Sequence, residues 1–119
     1  MINQRRFPRF FTHLKAYFSD EDTPYEVSNV SYGGLFIKTN KKFEKKLVYL
    51  ELELPDIGRL PLSGIIVHYG TLDNPGIGIE IFMIEKNLKP VWSLYLKGLE
   101  YINEAKKVYQ NIMENQKSS

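Results

Sequence analysis

Three guanidinium groups fall within five positions near the start of the chain, at Arg5, Arg6 and Arg9, interleaved with Phe7, Pro8 and Phe10. Proline fixes its own φ and drives the residue before it toward extended conformations, so an extended arm is predicted here rather than a helix. On extended backbone Arg5 and Arg9 point the same way, while adjacent residues alternate. An arginine fork matches phosphate or the acceptor edge of guanine, and its planar face stacks on flat rings. Two forks on one side would converge on one planar, anionic ligand. The plainer alternative for the arm is a solvated basic tail.

A second stretch with chemical character is Asn29-Val30-Ser31-Tyr32-Gly33-Gly34. Its paired glycines permit positive φ and close backbone approach. Asn29 and Ser31 carry short polar groups that bond local backbone or a ligand. Taken alone, this stretch also reads as a simple tight turn.

Elsewhere the ingredients of catalysis are not assembled. The chain has no cysteine, which excludes disulfides, thiolate metal sites and cysteine nucleophiles. His13 and His68 stand singly, without ligand-spaced neighbours. Ser31 is not in a G-x-S-x-G elbow, Gly76 and Gly78 do not continue into G-x-G-x-x-G, and no Walker loop occurs. Glu51 and Glu53 share a face, but a solvated one. Ser19 to Pro24 is an acidic turn without calcium-loop spacing. No catalytic residue, metal ligand or cofactor is expected, and the chain is not expected to be an enzyme.

The elements that must position the arm and the glycine turn follow from hydrophobic period. The 119 residues suffice for one domain with a core. The composition, 43% hydrophobic and 25% charged, is that of a soluble globular protein. A net charge of +2 is too small for a general nucleic-acid coat, so any basic site must be local. No apolar run reaches membrane-spanning length, and the basic start lacks the apolar region of a secretory signal, so a cytoplasmic location is expected. Strands are predicted over 13–18, 25–30, 35–39, 47–54, 60–69 and 77–82. The alternation of Leu47 to Leu54 is the cleanest, Gly64 marks a bulge or bend, and Gly78 leaves room for something to lie against it. Six short strands separated by turns suit a small barrel or sandwich, and a barrel leaves no open edge.

From Leu88 the period becomes helical. One stripe holds Leu88, Trp92, Tyr95, Leu99, Ile102, Tyr109 and Met113; an adjoining one holds Val91, Leu94, Tyr101, Ala105, Val108 and Ile112. Asn87 is read as the N-cap, with Pro90 in the first turn. At roughly 39 Å this helix outreaches a small barrel, so its first half should cover one barrel end and its second half overhang, offering self-association. Residues from Gln110 onward are expected to fray.

Two motifs give these pieces a common source. Arg5-Arg6-Phe7-Pro8-Arg9 fits the RRxxR form of RxxxR, and Asn29 to Gly34 fits (D/N)xSxxG. Their order, the strand pair between them and the later Gly76-Ile77-Gly78-Ile79-Glu80-Ile81-Phe82 strand resemble the PilZ domain, over Gln4 to about Leu96. The resemblance implies a mainly β fold: a six-stranded antiparallel PilZ-type β-barrel with a long C-terminal helix. The divisions expected are a flexible arginine-rich arm (1–10), the barrel (11–86), the helix (87–115) and a disordered tail (116–119).

It also implies a receptor for the bacterial second messenger cyclic di-GMP, acting in motility or biofilm formation through an unidentified protein partner. Arg5, Arg6 and Arg9 would engage phosphates and guanines. Asn29, Ser31, Gly33 and Gly34 would form the floor under one guanine, with Gly78 as an additional contact. Asn29 stands where the motif more commonly has aspartate, which predicts weaker binding. The alternatives are a PilZ-fold adaptor in motility or pilus assembly that binds no nucleotide, and an RNA or single-stranded DNA binder. The acidic face of Tyr49, Glu51 and Glu53 argues against a nucleic-acid polymer.

Overall fold

Six apolar segments, with the clearest alternation in Leu47–Leu54, close into a barrel. The structure, a computed structural model, describes residues 8–117. Its strands are β1 (Phe10–Phe18), β2 (Tyr25–Val30), β3 (Gly34–Lys38), β4 (Leu47–Leu54), β5 (Gly58–Tyr69) and β6 (Gly76–Met83). A 3-10 turn, Lys86–Leu88, and one helix, α1 (Lys89–Lys117), follow. The strands pair antiparallel in the closed order β1-β2-β3-β6-β5-β4, so the sheet has no free edge. Val48, Leu50, Leu52 and Leu54 point inward and are buried, as their alternation predicts. They meet Leu14, Ala16, Val27, Ile37, Leu60 and Ile77 from the other strands.

Close approach requires glycine at several positions, Gly64 and Gly34 among them. Gly64 sits at a register shift between β5 and β6, where a Cβ would lie 2.3 Å from Cγ2 of Ile79. On Gly34 a Cβ would lie 2.7 Å from the Ile79 carbonyl oxygen.

Several boundaries differ from expectation. β1 begins at Phe10, not His13, and Phe10 is a buried core residue paired with Val30. The arm therefore ends at Arg9. Apolar Phe11 faces outward and polar Thr12 takes an inward-phase position, so the sequence pattern does not announce the start of the strand. Asn87 is not an N-cap: it lies inside the 3-10 turn, and α1 starts two residues later. The helix continues to Lys117, so Gln116 and Lys117 belong to it rather than to a tail. The remaining assignments to the arm and tail, at residues 1–7 and 118–119, lie outside the described residues.

The helix lies against the barrel end formed by the start of β1 and the β2–β3 turn. Trp92 and Leu96 enter the core, with Val91, Tyr95 and Leu99 packed beside them. Leu96, fully buried, belongs to neither stripe read from the sequence; burying such a side chain contributes about 1.5–3 kcal/mol. Trp92 Nε1 donates to the Tyr32 carbonyl at 3.3 Å, and the hydroxyls of Thr12 and Tyr95 share a hydrogen bond at 3.2 Å. Burial raises the Tyr95 phenol above its usual range, and the Thr12 contact partly offsets this. Past Leu99 the helix leaves the barrel, exposing Tyr101, Ile102, Val108, Tyr109 and Ile112. No helix among the described residues is long and apolar enough to cross a membrane.

Candidate functional site

The two motifs meet at the helix-covered end of the barrel. Burial of Phe10 pins the start of β1 beside the end of β2, which fixes Arg9 just outside the ladder. Arg9 Nη1 donates to Asn29 Oδ1 at 2.6 Å, across twenty positions of sequence. The donor is charged and the acceptor a neutral amide, so Arg9 keeps its full positive charge there. Among the described residues no carboxylate pairs with it. Among the described residues, Asn29 Nδ2 makes one long contact, 3.5 Å, to the Ser28 hydroxyl. Arg5 and Arg6 lie outside the described residues.

The glycine turn is built differently from its expected form. The Ser31 amide donates to the Gly34 carbonyl at 2.8 Å, and the Ser31 hydroxyl lies 3.5 Å from the same oxygen. Ser31 is buried at 6% exposure, so its hydroxyl closes the turn instead of facing solvent. Neither Gly33 nor Gly34 adopts positive φ; among the described glycines Gly58 does. Gly33 accepts the Ile81 amide at 2.8 Å and stays partly exposed, whereas Gly34 is buried in the β3–β6 ladder.

On β6, glycines carry flat rings. The ring of His68 lies on Gly78, where a Cβ would come within 2.0 Å of the ring. The ring of Phe36 lies on Gly76 in the same way, at 2.5 Å, and stacks on His68 with centroids 6.1 Å apart. The register sets these residues in one line: Phe11 opposite Asn29, Asn29 opposite Phe36, Phe36 opposite Gly78, and Gly78 opposite His68. Phe11 is 89% exposed, an unusual place for a phenyl ring, and it flanks Asn29 directly. Sequence reading missed this row. Its members come from five strands, and bulges on β1, β2 and β5 hide the register that joins them.

A groove of about 720 Å³ lies on the β1–β4–β5 side and contains neither motif. Its rim includes Glu21, Asp22, Glu51 and Glu85, which repel an anion. Its one arginine, Arg59, is committed: it lies 3.8 Å over the Tyr17 ring and pairs with Glu51 and Glu53 at 3.4 and 3.6 Å. By charge, the Arg9–Asn29 surface suits an anionic ligand better than this acidic groove. Among the described residues no cluster of metal-ligating side chains occurs.

The family model of the PilZ domain matches residues 3–90. This span covers most of the chain and includes both motifs and all six strands, so the chain belongs to the PilZ domain family. Its fold is similar to that of the Bacillus subtilis inhibitor of motility MotI/DgrA (TM-score 0.70, 14% identity, covering 88% of this chain and 53% of that one). It is also similar to the PilZ domain of Escherichia coli YcgR with c-di-GMP (TM-score 0.66, 14% identity, 88% of this chain and 98% of that one). A third similar structure is the K. pneumonia MrkH–c-di-GMP complex (TM-score 0.68, 19% identity, 90% and 56%). The chain spans about half the length of MotI and MrkH. A comparison with curated protein sequences gave no match.

Proposed function

We propose that this chain is a cyclic di-GMP receptor, not an enzyme, and that it signals through protein–protein contacts from the cytoplasm. The observation that carries this reading is the 2.6 Å contact between Arg9 and Asn29, which brings the two ligand-binding motifs of the PilZ family to one surface. Cyclic di-GMP is a dianion with two flat purines. Arg5, Arg6 and Arg9 supply cationic forks for phosphates and for guanine N7 and O6, each good bidentate pair being worth about 1–3 kcal/mol. Asn29 Oδ1 has a second lone pair for a guanine N–H while it accepts from Arg9. Ser31 and Gly34 hold the turn from inside, Gly33 lies at its surface, and Gly78 acts through the ring it supports. Phe11 offers a stacking face beside Asn29.

Ligand binding orders the N-terminal arm and so presents a new surface to a partner without any catalysis. The Trp92 bond to the Tyr32 carbonyl ties the same turn to α1, a second route outward.

The test is a calorimetric titration with cyclic di-GMP, GTP and cyclic di-AMP. Saturable binding of cyclic di-GMP alone is expected, with NMR signals of the arm shifting on saturation. Heat from none of the three would sink the receptor reading. One observation favours the alternative of a nucleotide-free adaptor in motility or pilus assembly: the chain's own side chains take up both contacts, Arg9 bonding Asn29 and His68 covering Gly78. Under that reading a partner is retained equally with and without the nucleotide.

A further inference from the structure

The overhang of α1 has the right shape to fill a groove on its own chain's surface, but only in a second copy. Beside the barrel, an apolar groove of about 420 Å³ is lined by Ile57, Val91, Leu94, Tyr95, Gly98 and Ile102, among others. A Cβ added at Gly98 would meet nothing within 4 Å, so the floor of this groove is open. Along the helix the apolar positions Val91, Tyr95, Gly98, Ile102, Ala105, Tyr109 and Ile112 are spaced 4-3-4-3-4-3, an unbroken heptad seam. Charged Glu100, Glu104, Lys107 and Glu114 occupy the far face, where Lys107 and Glu104 pair. Size alternates along the seam: Tyr95, Ile102 and Tyr109 are large, while Gly98 and Ala105 are small.

We propose that α1 pairs antiparallel with α1 of a second copy, each overhang lying in the other's groove. In an antiparallel seam, successive layers set one position of the pattern against the other. Pairing over the full seam puts Tyr109 of one copy on Gly98 of the other, Ile102 on Ala105, and Ile112 on Tyr95. The two central layers then set large on small, and Ile112 packs on Tyr95 at the end of the groove. A parallel pair would stack glycine on glycine and tyrosine on tyrosine, leaving voids beside crowded layers. The surface is sufficient. Ile57, Leu94, Tyr101, Ile102, Val108, Tyr109 and Ile112 are between 47% and 68% exposed. Covering them buries on the order of 700 Å² per copy, near the ~800 Å² of a standard interface.

The pairing does not depend on the ligand reading, so it is tested without nucleotide. Sedimentation of the full chain should give twice 13.9 kDa, and Tyr109→Glu should return it to 13.9 kDa. Should Tyr109→Glu alter the circular dichroism, Ile112→Glu, further out on the helix, decides in its place. Orientation is read by cross-linking, because the chain has no cysteine of its own. A mixture of Gly98→Cys and Tyr109→Cys chains should form a disulfide-linked dimer, and neither variant alone should. In the proposed pair two Gly98 positions are about 16 Å apart along the axis. A monomer at every soluble concentration, or self-cross-linking of Gly98→Cys, overturns the proposal.

Discussion

Two arginines near opposite ends of β1 show what makes a cation available. Arg59, on the groove side, is saturated: two carboxylates neutralise it and a tyrosine ring covers it. Arg9, at the motif end, meets a neutral amide and keeps its charge for an incoming anion. Both residues are exposed and both make close contacts, so exposure and contact do not distinguish them. The sign of the partner does. A side chain whose field is cancelled by its neighbours stabilises the fold slightly; one left uncancelled attracts ligand.

The sharpest way to break this contrast is to remove each arginine in turn. Arg9→Ala should weaken cyclic di-GMP binding about 10- to 100-fold, corresponding to about 1–3 kcal/mol, with little change in melting temperature. Arg59→Ala should leave the affinity unchanged and lower stability by no more than about 1 kcal/mol. Equal effects of the two variants on calorimetric affinity would erase the distinction.

A smaller effect is expected at Asn29. Asn29→Asp adds a charge beside Arg9 and a second acceptor oxygen, which should tighten binding severalfold, at most about tenfold. Calorimetry showing no gain would mean that the amide already does all that this position can do.

The smallest effect lies at the far end of the barrel. Hydrogen bonds from the Lys41 ammonium and then the Tyr25 hydroxyl hold the Glu21 carboxyl below its ordinary range. A carboxyl with a depressed folded-state pKa adds stability above its unfolded pKa and loses it as pH falls through the folded value. Denaturant melts should therefore show a small loss below about pH 4 that Glu21→Gln abolishes. Asn29 cannot titrate and so contributes no such dependence.

Much of the fold was legible because inward and outward residues alternate. β4 begins and ends where its alternation does, and Gly64 falls at a bulge. The start of β1 was hidden by outward-facing Phe11 and by polar Thr12 at an inward-phase position, and Leu96 by the fact that a helix meeting a barrel end buries a patch wider than one stripe. At the candidate site, residue types were legible and their surroundings were not. Arg9 and Asn29 could be named from motifs, but nothing local in the sequence says that they touch. Ser31 looks like a ligand contact by type, yet its burial turns the hydroxyl to the turn's own carbonyl. The row from Phe11 to His68 exists only once the strands are in register.

The bond between Trp92 and the Tyr32 carbonyl has an optical consequence. This indole is the chain's single tryptophan, it is buried, and it is anchored to the middle of the glycine turn. The protein thus carries a native fluorophore hard-wired to its motif, and any displacement of that loop is written into the wavelength and yield of its emission without a label being added.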